Sequence, residues 1–249
     1  GSGIAASTML YFVPKDMPEQ HKVALRYFLL FFVSITCTYI LFILRPFIGM
    51  TVGIFFANLF AIVTPLSPLF GIRWRFGRAK HLYRSSLIIT YIISLPMLLV
   101  IIYLNVPESL WTRVFLININ ITGIYGYSLR TFIRLKSKEK GGTVLIYGLS
   151  VASVSHLVLS IYPLLFVSKD GYASLALVLG IITVVIMLGA VYSFFLEDLI
   201  RFHYENSIYD PLTKLFNRRH MLIELDRLAA DAIRNHFPIS FIMCDIDHF

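Results

Sequence analysis

Ser85-Ser-Leu-Ile-Ile-Thr-Tyr-Ile-Ile-Ser-Leu-Pro-Met-Leu-Leu-Val-Ile-Ile-Tyr-Leu104 runs its whole length without a charge. A helix of this length rises about 30 Å, the thickness of a bilayer's hydrocarbon core. Hydrocarbon offers backbone amides no partner, so such a run must satisfy its own N–H and C=O groups as a helix. Pro96 interrupts it and predicts a kink that neighbouring helices must compensate.

Working outward, comparable apolar runs cover residues 25–44, 47–70, 110–127, 143–167 and 172–196. A chain that is 57% hydrophobic and 14% charged, with mean hydropathy +0.76, lies far outside the soluble norm. The expected fold class is therefore an all-α polytopic membrane bundle of six transmembrane helices over residues 25–196, preceded by a polar cytoplasmic tail, 1–24. Arg45-Pro46 is where the first hairpin is expected to turn. The net charge of +8 does not point to nucleic acid, because the basic residues gather between apolar runs and not on one soluble face.

Those basic residues set an orientation. Arg73, Arg75, Arg78, Lys80 and Arg84 follow the second run, and Arg130, Arg134, Lys136, Lys138 and Lys140 follow the fourth. The alternate connections carry only Arg45, Arg113 and Lys169. The positive-inside rule then puts both termini in the cytoplasm of a multi-pass protein in the inner membrane. Tyr103, Trp111, Tyr127, Tyr162 and Tyr172 fall near run ends, where an aromatic belt anchors at the interface. Cys37 and Cys244 belong to no metal-spaced pair and read as small hydrophobes.

Gly49, Gly53, Ala57 and Ala61 repeat every four residues, as do Gly148, Ala152, His156 and Ser160. Each set shares a helix face narrow enough for close helix packing, in the bundle or at a dimer seam. His156 lies near mid-span, where an ionisable group faces the bundle interior or a hydrated cavity. Asn58 and Asn118 are also near mid-depth, and Thr122 shares a face with Asn118. Two readings stand: interhelical hydrogen bonds alone, or a site for a small apolar or amphipathic signal. A haem or metal role is disfavoured, since no second histidine lies in a span.

The C-terminal end has a different character. Residues 197–208 continue in helical pattern, and Phe195, Leu199, Phe202 and Ile208 supply a short apolar seam suited to a signalling helix. Then comes Tyr209-Asp-Pro-Leu-Thr-Lys-Leu-Phe-Asn-Arg-Arg219, an amphipathic stretch with Leu222, Leu225, Leu228, Ala229 and Ile233, and Ile239–Cys244 as a buried strand running into Asp245-Ile-Asp-His-Phe249. Asp210–Arg219 resembles the opening motif of GGDEF-domain diguanylate cyclases, Asp-x-Leu-Thr-Gly-Leu-x-Asn-Arg-Arg, and residues 245–249 resemble the family's Asp-x-Asp-x-Phe segment. Lys214 departs from the pattern, which usually has glycine.

The resemblance implies that 209–249 is the first helix and strand of a truncated α/β GGDEF domain. It implies synthesis of cyclic di-GMP from two GTP by facing domains, hence a homodimer, with Mg2+ or Mn2+ as cofactor. Asp245 and the Ile246 carbonyl match metal ligands, and the backbone N–H groups of Asp247, His248 and Phe249 match the triphosphate cradle. The sequence ends ahead of the Gly-Gly-Asp-Glu-Phe signature, so this stretch by itself is expected to be inactive. Other readings are a membrane receptor with a degenerate, non-catalytic dimerisation domain, and a small transporter, which leaves the C-terminal motifs unexplained. The layout, six spans ahead of the output domain, resembles a MASE-type sensor in a lipid bilayer.

Overall fold

The computed structural model describes residues 14, 17–78, 86–136, 142–166, 169–210, 212–242 and 244. Among them are seven α-helices: α1 Glu19–Ile48, α2 Met50–Arg75, α3 Ser86–Asn105, α4 Leu110–Lys136, α5 Thr143–Leu165, α6 Lys169–Ile208 and α7 Arg218–Asn235. Five of them, α1, α2, α3, α5 and α6, are long and apolar enough to cross a membrane. The fourth expected span lies inside α4, which is long enough but more polar, because Asn118, Asn120 and Thr122 interrupt its apolar surface.

The chain divides into two compact units, Gly1–Glu197 and Asp198–Phe249. In the first, α1 packs along α2, α2 against α3 and α4, and α4 against α5. One core cluster joins Phe28, Phe31 and Phe32 of α1 to Tyr125 and Phe132 of α4, Leu149 of α5, and Met187 and Phe194 of α6. A second joins Ile62 and Leu69 of α2 to Leu95 of α3. Many apolar side chains face outward instead: Ile89, Ile101, Ile181 and Val185 are each at least half exposed. A surface this apolar suits lipid, where outward leucines and isoleucines cost nothing.

The first hairpin turns later than the sequence predicts. Pro46 sits inside α1, and the chain reverses at Gly49, with φ 90° and ψ 141°. A helix tolerates proline near its end, whereas the reversal itself requires a backbone conformation that only glycine adopts without strain. Gly49 is thus an exposed turn residue between the two helices. Gly53 and Ala57 are buried, and a Cβ added at Gly53 would lie 2.5 Å from the Arg45 Cγ. Pro96 is likewise inside its helix.

On α5, Gly148 and Ala152 are buried against α6: a Cβ at Gly148 would lie 3.0 Å from both the Ala190 Cβ and the Met187 Sδ. Both neighbours are core atoms with little room to retreat. Gly148→Leu is therefore expected to destabilise the bundle by about 1–3 kcal/mol, read as a lower thermal midpoint in detergent or nanodiscs. The start of α5 is tied to the far part of α6 by a hydrogen bond, Gly142 N–H donating to Glu197 Oε2 at 2.7 Å. That carboxylate satisfies a donor at a helix N-terminus, where negative charge is favoured.

In the second unit, the end of α6 leads through a turn into α7. The expected apolar stripe of α7 is mostly exposed, with Leu222, Leu228 and Ile233 all open. Among the described residues 239–242 and 244 no strand forms. A strand is defined by pairing, and no second extended segment lies beside it among the described residues. Asp245, Ile246, Asp247, His248 and Phe249 lie outside the described residues.

Candidate functional site

A cavity of about 460 Å³ opens within the helical unit, lined by residues of α1, α2, α4, α5 and α6. Its size falls in the range of small-molecule sites. Asn58, Asn118 and His156 all line it, so residues far apart in sequence meet at one cavity. Thr122 does not: its hydroxyl donates to the Asn118 carbonyl at 2.9 Å, one turn back on α4. Ala61 also lines the cavity.

The polar contacts define a small network. His156 Nδ1 lies 2.9 Å from Asn118 Oδ1. Asn118 Nδ2 donates to the Val114 carbonyl at 2.9 Å and to the Tyr172 hydroxyl at 3.2 Å. A backbone carbonyl can only accept, which fixes the amide nitrogen towards Val114 and the amide oxygen towards histidine. The oxygen in turn can only accept, so His156 Nδ1 carries the proton and donates. Tyr125, buried and nearly parallel to the His156 ring at 5.8 Å, holds that ring in place. Asn58 is separate: its amide donates to the Ile54 carbonyl at 2.7 Å within α2.

Three features escaped the sequence reading. Tyr172 is more than an interfacial anchor, since its hydroxyl bonds Asn118 while its ring packs with Trp111 at 5.6 Å and Tyr162 at 5.6 Å. Thr183 of α6 donates to the Ser155 hydroxyl of α5 at 3.3 Å. Arg45 and Arg113, counted as connection charges, both line the cavity. A charge a few residues inside a span end is the sequence signal that singles them out.

In the second unit, the motif beginning at Asp210 builds a turn. Asp210 Oδ1 accepts from the Leu212 N–H at 3.0 Å, the Thr213 N–H at 2.8 Å and the Thr213 hydroxyl at 3.0 Å. These donors, the Thr213 N–H foremost, hold its carboxyl below the ordinary value of 3.8. The turn's stabilisation is thus present above that value and lost as pH falls through the depressed one. Asn217 caps α7 by accepting from the His220 N–H at 2.9 Å, while its amide donates to the Ser207 carbonyl of α6 at 2.7 Å. Tyr209 and Phe216 pair across the turn, their rings stacked at 5.3 Å.

Lys214 has φ 60°, in the left-handed region. That explains why the resembling pattern has glycine there: a Cβ is strained in this conformation by about 1–2 kcal/mol. Lys214→Gly is accordingly expected to stabilise the turn by up to about 1 kcal/mol, once glycine's greater freedom in the unfolded chain is set against the strain. Hydrogen exchange of the Leu215 and Asn217 amides would read this as slower opening.

The geometry describes a helical protein suited to a membrane, with an internal cavity and a capped turn leading to its C-terminal helix. Residues 207–249 match the family model for "Diguanylate cyclase, GGDEF domain". No curated protein and no solved structure matches the chain.

Proposed function

We propose that the chain is the sensing part of a diguanylate cyclase of the inner membrane, with six spans and both termini in the cytoplasm. In this reading the cavity receives a small apolar or amphipathic signal, and α6 carries the response to a GGDEF domain that makes cyclic di-GMP. The single observation that carries it is the GGDEF match at residues 207–249, entered directly from the longest apolar helix. The loop charges support the orientation, since GTP is cytoplasmic. Counting α4 as the sixth span is supported by its place in the core cluster through Ile121, Tyr125 and Phe132.

The reaction implied is attack of the 3′-hydroxyl of one GTP on the α-phosphate of another, releasing pyrophosphate, repeated to close the ring. One GTP sits on each domain, so the active form is a homodimer. Asp245 and the Ile246 carbonyl would hold the divalent ion, and the N–H groups of residues 247–249 the triphosphate. When bound, Mg2+ or Mn2+ offsets phosphate charge and favours the ionised hydroxyl. The donor set suits it, because a carboxylate and a carbonyl are hard oxygen ligands.

The test is cyclic di-GMP production from GTP and Mg2+ by the protein with its complete GGDEF domain, reconstituted in nanodiscs. Product formation by the dimer is expected. GTP binding without product would instead assign a degenerate domain used for dimerisation.

A further inference from the structure

The polar network above does not account for the two arginines on the cavity wall. Arg45 lies three residues before the end of α1 and Arg113 three after the start of α4, so both mark the end of the cavity formed by helix termini. The Arg45 guanidinium lies over the Phe42 ring, 3.8 Å from its centroid, and its buried Nε has no hydrogen-bond partner among the described residues. Among the described residues Arg113 donates to two carbonyls, from Nε to Ser109 and from Nη2 to Pro107, both at 3.3 Å, with Tyr103 5.0 Å from its guanidinium. Among the described residues, no aspartate or glutamate lines the cavity. Two positive charges thus share one cavity without a countercharge, in surroundings where unpaired charge is costly.

The rest of the wall is apolar, with Ile35, Ile54, Ile117, Ile121 and Leu159, and it runs inward to Pro65 and Tyr125 at mid-helix. Cationic at one end and apolar along its depth, it complements a molecule with the opposite plan. We propose that the cavity binds a single-chain amphiphile with an anionic head, carboxylate or phosphate, seated between Arg45 and Arg113 with its chain directed towards Tyr125. This rests on the reading of the cavity as the signal site and adds the ligand's charge. The loop charges place the arginine end on the extracytoplasmic side, so the ligand arrives from outside or from the outer leaflet.

Binding can be read from the emission of Trp111, whose ring is 5.6 Å from that of cavity-lining Tyr172, in a Trp74→Phe background. The protein is held in nanodiscs of zwitterionic phosphatidylcholine and titrated with dodecanoate, dodecyl phosphate and dodecanol. Either anion is expected to bind at least tenfold more tightly than the alcohol, and the better of the two assigns the head. Arg113→Gln is expected to remove that tenfold preference. Equal binding of all three overturns the anionic head but leaves the signal cavity standing. Binding by none of them overturns both, and the comparison among ligands needs no variant to fold.

Discussion

Asp245→Ala is expected to lower cyclic di-GMP synthesis roughly a hundredfold or more in the protein carrying its complete GGDEF domain. In the proposed reaction, negative charge accumulates on a phosphate between two already anionic nucleotides. A divalent ion offsets that charge, and the ion needs a carboxylate to hold it. Asp245 stands where the GGDEF pattern has that carboxylate. Asp245→Asn keeps the shape and removes the charge, so it should lose nearly as much activity. Folding should survive, because the contacts that build the turn and cap α7 come from Asp210, Thr213 and Asn217. Unchanged melting with product near the unsubstituted level would refute the metal assignment. Lost melting would mean that the carboxylate holds the fold.

The helices were legible because hydrocarbon leaves the backbone one economical solution, and twenty uncharged residues announce it. Where sequence reasoning slipped, the cause was local. Proline at 46 looked like the turn, yet a helix end accommodates proline, and it is Gly49 with its φ of 90° that reverses the chain. The polar residues of α4 were visible, but not that they make it the more polar helix of the unit, with Asn118 turned to the cavity. Lys214 stood out as a departure from a pattern, while its meaning, a side chain strained in the left-handed region, required the backbone angle. Arg45 and Arg113 belong to different hairpins, and nothing in their local sequence states that they meet one cavity.

Asn118→Leu should change both stability and signalling, and the two effects separate the readings of the cavity. Leucine nearly matches asparagine in size but removes the acceptor that receives the His156 Nδ1 proton and the donor that bonds Tyr172. Contacts of this kind within a membrane bundle are worth about 0.6–2 kcal/mol. A double-mutant cycle with His156→Ala should recover a coupling of that order, since the two side chains touch. If the network also shapes a ligand site, the midpoint of the response of cyclic di-GMP synthesis to signal should move about tenfold, an energy of about 1.4 kcal/mol. His156→Ala should move it in the same direction, because either change frees the same pair. A response midpoint that stays fixed while the melting temperature falls would make the Asn118–His156 pair a structural staple and remove it from the signal site.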